Sequence, residues 1–447
     1  MADIKPIDQG RKSFRQRAWN DAFHQLSDAD REARLNPKDL ELLAVAAYLI
    51  GYISESNALW TRAHNEYLNN SNIERAVHCA FQMGFGLFHM GEIARATGWF
   101  ARARTLLDEG LSNCVEEGYL LLPVALQSLS EDDAKKSLAT FEQAGQIGDR
   151  FGDRDLMALT RLGRGQALVR LGETRAGTVL LDEAMAAVDS GEISPIFEGI
   201  IYCAAIETCH GIFDLGRAHQ WTEAMSDWCD AHPQLVPFRG ECLTRRSQIM
   251  QMHGQWSKAI EEAFRGTEFL AKSISEPATG EAFNQLGELF RLRGEFAQAE
   301  EAYRKAVRWG RIRNPGLALL RFAQGRINTA KKSIETAMME ATSLKARPRV
   351  LTAYIKIMLA ANDLEAARQA ADELTDIANR LNATLINAWA AKGVGAVLLY
   401  EGDTANGLIQ MRRAWTIFEK LDAPYENALV RVLIGKAYHQ LGDRTRR

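Results

Sequence analysis

The sequence predicts an all-α protein, a right-handed superhelix of stacked helix pairs, and two observations carry that prediction. First, a small residue returns about every forty positions: Ala22, Ser56, Ala96, Ser137, Gly177, Ala218, Ala259, Ala299, Ala330, Ala367 and Gly407. The successive intervals are 34, 40, 41, 40, 41, 41, 40, 31, 37 and 40. Second, the apolar residues around these positions keep helical spacing, and a glycine recurs in the intervening turn. A single folded core has no reason to repeat itself in this way, whereas stacked supersecondary units do. The expected array is one solenoid over residues 1–447 of about eleven helix pairs without β-sheet, its core delivered as one elongated unit.

Along the chain the pattern is first clear at Met83–Gly84, Gly91, Ala96, Phe100 and Ala103. It is clearest in residues 281–307, EAFNQLGELFRLRGEFAQAEEAYRKAV. There Leu286 and Phe290 fill the seam between two helices, and Gly287 has no side chain to keep the second helix away. Gly294 makes the turn, and Ala299, Tyr303 and Ala306 form an apolar stripe on the second helix. The pattern returns at Val394–Gly395, Gly402, Gly407, Met411 and Ala414. Residues 427–441 read as the first helix of a further repeat, with Ile434–Gly435 and Tyr438 in register, so residues 427–447 are expected to form an incomplete terminal repeat.

The 281–307 segment, with Phe283 where the motif usually has Trp, resembles the tetratricopeptide (TPR) consensus, and most units here run longer than the 34 residues of that repeat. Extended repeats of this length resemble those in the regulatory regions of MalT-like and LuxR-type bacterial transcription regulators. Residues 193–230, 237–256 and 283–306 also resemble that region in wording. The resemblance implies a regulatory, ligand- or protein-sensing function. The family's C-terminal helix-turn-helix has no counterpart in this sequence, and neither does the G-x-x-x-x-G-K-[ST] loop of its ATPase. Ile434–Gly435–Lys436–Ala437 sits within a first helix and lacks the hydroxyl that would hold magnesium. The chain is therefore expected neither to read DNA nor to hydrolyse nucleotide by the family's usual means, and a stand-alone adaptor docking a partner protein is the alternative.

Composition narrows the function further. A formal net charge of −3 over 447 residues argues against a general nucleic-acid or membrane-surface binder. There is no signal-like apolar start, and the longest apolar stretch, residues 381–400, is broken by Asn387 and Lys392, so a cytoplasmic location is expected. The six cysteines, 79, 114, 203, 209, 229 and 242, have no C-x-x-C pairing. Cys209–His210 with Cys229 and His232 offer the ligand types of a zinc site at a spacing that matches no known finger, and they read as packing residues. Neither H-E-x-x-H nor G-x-S-x-G occurs, and acidic runs such as Glu131–Asp133 and Glu300–Glu301 read as solvated faces. No enzyme activity, metal or cofactor is expected.

Binding in a concave groove remains. In the TPR register the first helices line that groove, and the inward positions fall on two sets of residues. His78, Phe81, Phe85, Phe88 and His89, followed by Tyr119, make an aromatic stretch that reads either as groove floor or as core between repeats. Gln166 and Arg170, then Glu207 and His210, Gln248 and Gln251, and Asn284, Glu288 and Arg291 make a polar ladder that meets Lys356 and Lys392. Polar side chains among apolar helix-packing neighbours need solvent or a partner, and a groove supplies both. The expected occupant is a peptide, a protein segment or a polar small molecule. The end helix around Ala428–Tyr438, with Leu429, Val432, Leu433 and Ile434, is expected to support self-association or to lie against Met411, Trp415 and Phe418.

Overall fold

In the computed structural model the described residues are 6–110, 113–270, 276–309, 315–341, 346–381 and 383–442, and they form helices without any strand. The first pairs are α1 (Pro6–Arg15) with α2 (Trp19–Glu32), α3 (Pro37–Leu49) with α4 (Ile53–Asn69), and α5 (Ile73–His89) with α6 (Ile93–Gly110). Then come α7 (Glu116–Ser130) with α8 (Ala134–Phe151), α9 (Arg154–Arg170) with α10 (Thr174–Asp189), and α11 (Pro195–Gly211) with α12 (Leu215–Ala231). They are followed by α13 (Arg239–Met252) with α14 (Trp256–Leu270), α15 (Glu276–Arg293) with α16 (Phe296–Arg308), and α17 (Gly316–Ala323) with α18 (Ile327–Glu340). The series closes with α19 (Arg347–Ala360) and α20 (Leu364–Leu381), α21 (Thr384–Glu401) and α22 (Thr404–Lys420), and finally α23 (Pro424–Gln440). This is a TPR-like helical solenoid.

One local rule builds every pair. The turn inside each pair holds a residue with positive φ, and it stands five positions before the small residue, as Gly172 does before Gly177 and Gly294 before Ala299. The residue after it closes the first helix: the Glu173 N–H donates to the Leu168 carbonyl at 2.9 Å and the Glu295 N–H to the Phe290 carbonyl at 2.9 Å. Glycine adopts this backbone without strain and holds seven of the eleven turns; Arg17, Asp132, Phe213 and Asn362 hold the others.

The small residue is where the second helix touches the first. All nine Ala and Ser members are essentially excluded from solvent, as are Gly177 and Gly407. At Ser56, Ser137, Gly177 and Gly407 the contact includes a carbonyl twelve residues upstream. Ser56 Oγ donates to the Ala44 carbonyl at 2.8 Å and Ser137 Oγ to the Ala125 carbonyl at 2.9 Å, so serine is accepted because its hydroxyl is satisfied. At Gly177 the approach is tighter, because a Cβ would lie 2.6 Å from the Gly165 carbonyl oxygen. At Gly407 the nearest atom to a Cβ would be a Leu399 methyl at 3.0 Å. Overpacking costs about 1–3 kcal/mol, and alanine's better helix propensity returns up to about 1 kcal/mol. Gly177→Ala is therefore expected to lower the melting temperature and Gly407→Ala to leave it nearly unchanged; the reverse order would contradict this account of the small residue.

Contacts gather into two compact units. The first comprises Met1–Ala205, Ala224–Gly240 and Phe269–Ser275, and the second Ile206–Glu223, Glu241–Glu268 and Glu276–Arg447. Within the first unit, the turn of the first pair meets the sixth: Arg17 Nη1 lies 2.8 Å from Glu198 Oε2, and Trp19 stacks on His232 at 6.3 Å. The Val236 N–H donates to the Leu49 carbonyl at 2.9 Å, bringing the second pair to the start of the seventh. Within the second unit the same offset recurs. Phe213, in the sixth turn, meets Trp389 of the eleventh pair with ring centroids 5.3 Å apart, and Trp256 meets Tyr425 of α23 at 5.4 Å. In each unit a pair therefore touches the one five places on, which closes the inner face into a narrow space lined by first helices.

Candidate functional site

The inner faces of the two units differ. In the first, the space is filled by aromatic side chains. Phe81 stacks on Phe85 at 5.2 Å, Phe81 lies 5.0 Å from Tyr119, and Phe197 of α11 stacks on Tyr119 at 6.2 Å and meets Phe85 edge-on at 5.9 Å. Phe81, Phe85, Tyr119 and Phe197 are all at least 96% buried. Phe81, Phe85 and Tyr119, read from the sequence as groove floor or core, thus offer almost no surface to a ligand, because the closure brings Phe197 onto Phe85 and Tyr119. Burial drives His89 down to about 4, and burial with the Arg75 charge drives His78 down to about 3, so both imidazoles are neutral at physiological pH. Glu116 stands 3.8 Å from His78 and is pushed up to about 7, chiefly by burial.

In the second unit the inner face is open. His210, Gln248, Gln251, Asn284 and Glu288, picked out by the repeat register, line one cleft of about 290 Å³ together with Arg349, Trp389 and Tyr425. Arg291, Lys356 and Lys392 line an adjoining cleft of about 350 Å³. Thr352, Trp389, Tyr425 and Glu426 are common to both. Glu207, on α11 with His210, is exposed and lines neither cleft.

The polar ladder is wired across α13 and α15. Gln248 Nε2 donates to Glu281 Oε1 at 2.8 Å and Gln285 Nε2 to Gln251 Oε1 at 2.8 Å. Glu288 receives Arg291 Nη2 at 2.6 Å and the Tyr303 hydroxyl at 2.5 Å. Burial alone would raise the Glu288 carboxyl, but the Arg291 charge and these hydrogen bonds outweigh it and hold the group below the usual carboxylate range. Gly287 has the function its sequence suggests: a Cβ there would lie 2.6 Å from the Tyr303 ring, so its absence lets Tyr303 reach Glu288.

The second cleft is cationic. Lys392 Nζ bonds Glu426 Oε2 at 2.5 Å and lies 5.6 Å from the Phe418 ring. Lys356 lies 5.0 Å from the Phe322 ring and makes no ion pair among the described residues. Burial, then the charges of Lys392 and Arg291, lowers its pKa. Arg349, 5.6 Å from the Phe213 ring, also lacks an ion-pair partner among the described residues, and burial and the Arg245 charge lower it.

Four contributors escape the sequence argument. Phe213 occupies a turn position that glycine holds in most pairs, a strained choice for a bulky side chain, and its ring contacts with Trp389 and Arg349 account for it. That departure from the turn pattern was the available signal. Trp389, Tyr425 and Arg349 carry no local pattern and are assembled only by closure of the unit. Leu429, Val432 and Leu433 of α23 face the cationic cleft, while Val430 and Ala437 pack beneath, and Arg412 Nη2 bonds the Tyr438 hydroxyl at 2.6 Å. Residues 443–447 of the expected terminal repeat lie outside the described residues.

None of the six cysteines forms a disulfide. Cys209 and His210 belong to the second unit and Cys229 and His232 to the first, and among the described residues no group of three or more His, Cys, Asp or Glu is placed to hold a metal. No described helix is long and apolar enough to cross a membrane.

No family model matches the sequence, and no curated protein matches it either. Among solved structures, the chain is similar to one in the APC/C hetero-tetramer Cut9–Hcn1, at 13% identity and a TM-score of 0.40 over 97% of this chain and 92% of that one. It is similar to yeast Tom70 at 13% identity and a TM-score of 0.35, over 98% of this chain and 96% of that one. It is also similar to BtubC from P. vanneervenii, at 21% identity and a TM-score of 0.32, over 44% of this chain and 86% of that one. Similarity of this degree carries no argument about function.

Proposed function

We propose that this chain is a non-enzymatic binding protein that holds an extended segment of a partner protein on the inner face of its second unit. The observation that carries this reading is the convergence of His210, Gln248, Gln251, Asn284 and Glu288 on a cleft walled by Trp389 and Tyr425. Aromatic walls with a few fixed polar groups suit peptide recognition. Two adjoining clefts with common walls favour a ligand long enough to span both over a compact small molecule. The likeness of residues 193–230 and 237–256 to LuxR-type regulators supports the finer reading that the bound segment is a regulatory signal.

The test is selection of peptides from a random display library on the full-length chain, followed by amide hydrogen exchange with the selected peptides. Protection is expected in α19, α21 and α23. Gln251→Arg, which places a long charged side chain in the polar cleft, is expected to weaken binding about tenfold or more while the chain still folds, with a melting temperature lowered by loss of the Gln285–Gln251 hydrogen bond. Protection confined to second helices, or no selected peptide, would overturn the proposal.

A further inference from the structure

The charges of the two clefts do not balance, and the imbalance has a direction and a length. Three carboxylates lie in these clefts, and each has its own cation. Glu288 is held by Arg291 at 2.6 Å, Glu426 by Lys392 at 2.5 Å, and Glu281 has Arg245 at 4.0 Å. Arg349 and Lys356 remain without an ion-pair partner among the described residues, and the exposed Lys436 adds the same sign on α23. Glu288 acts on Arg349 and, with Glu426, on Lys356 only from beyond ion-pair range, so the half-buried Arg349 and the exposed Lys356 leave the clefts they line with Arg291 and Lys392 an excess of positive charge that a bound anion would balance.

Their spacing is set by the helix that carries both. Arg349 and Lys356 are seven residues apart on α19, with Thr352 on the same face between them and common to both clefts. Seven residues are almost two helical turns, so the two residues share a face about 10 Å apart along the axis. A polyproline-type segment repeats its side-chain direction every three residues and rises about 9 Å in doing so. In such a segment, side chains three residues apart point the same way at nearly the spacing of Arg349 and Lys356. The residues between them would lie against Trp389 and Tyr425, which wall both clefts.

Resting on the reading of the inner face as a peptide site, we infer that the bound segment carries two carboxylate side chains three residues apart in an extended, polyproline-like conformation, one meeting Arg349 and the other Lys356. Each contact is a charge-assisted hydrogen bond, half-buried at Arg349 and open to solvent at Lys356. A guanidinium at one end and an ammonium at the other make the site directional. Arg349 can take its carboxylate in a two-point fork, whereas Lys356 acts as a point charge.

The test uses the full chain and labelled eight-residue synthetic peptides in fluorescence anisotropy. Pro-Pro-Glu-Pro-Pro-Glu-Pro-Pro is compared with the same peptide carrying Gln at both Glu positions, and with one in which the two Glu are adjacent. The Glu-x-x-Glu peptide is expected to bind about tenfold tighter than the adjacent form and more tightly still than the Gln form. Arg349→Gln and Lys356→Gln are each expected to reduce its affinity about tenfold and to leave the Gln peptide unaffected. Circular dichroism melts identify any variant that has lost its fold, and charge reversal on the peptide, with Lys at both Glu positions, supplies a readout on the unaltered protein, where binding should disappear. Equal binding of all spacings, equal competition by inorganic pyrophosphate or polyuridylate, or indifference to both substitutions would overturn the inference. If display-selected peptides still protect α19 and α21 but carry no acidic pair, this inference fails while the binding site itself stands.

Discussion

Glu288→Ala is expected to be among the most destabilising single changes in the second unit, at about 3–5 kcal/mol, the cost of leaving a buried charge without its partner. Arg291 is only 11% exposed, and its Nε already lacks a hydrogen-bond partner among the described residues. Removing Glu288 leaves the guanidinium nothing to answer its charge and strips the Tyr303 hydroxyl of its acceptor. Glu288→Gln keeps an oxygen for Tyr303 but not the charge, and an intermediate loss is expected. The effect depends on pH in a defined direction. The folded carboxyl titrates below its ordinary value of 4.5, so its contribution is complete above that value and is lost as pH falls through the depressed folded pKa. Chemical denaturation at neutral pH should separate wild type from variant clearly, and a series towards pH 3 should bring the two together. Equal stability at neutral pH would show that the pair contributes nothing to the fold.

Phe197→Ala should cost the first unit a comparable amount, about 3–5 kcal/mol, because it empties the centre of a packed aromatic group. Phe197 is 1% exposed and touches both Phe85 and Tyr119, which belong to helices far from it in sequence. The space left behind is walled by rings on several helices and can collapse little, which puts the cost towards the upper part of that range. Thermal melting followed by near-ultraviolet circular dichroism reads both the loss of stability and the altered packing of Tyr119. A variant that melts with wild type would mean that the inner face of this unit is not held by its aromatic filling.

The repeat was legible because each pair is built by contacts that are local in sequence. A turn residue, a small residue five positions on and a carbonyl twelve residues upstream all lie within one helical hairpin, so the constraint reappears as a period. Even the exceptions obey it, since Ser56 and Ser137 meet that carbonyl by hydrogen bonding. Part of the polar inner face was legible for the same reason: Gln248 and Glu288 occupy equivalent places in neighbouring hairpins and line one cleft.

Which inward positions stay open to solvent was not legible, because that depends on how tightly the hairpins close. Phe81, Phe85 and Tyr119 share their register with the residues of the open cleft, yet Phe197 covers Tyr119 and Phe85 from four and six helices away in the chain order. Likewise Leu429 and Val432, which look like the uncovered end of an array, line a cleft with Lys356 and Lys392. The hairpin, its turn and its inward face are determined by the sequence alone, through interactions that span a dozen residues. Whether an inward face becomes a sealed core or a charged cleft is decided only in the tertiary structure, because the contacts that close it join pairs two to five places apart and leave no period in the chain.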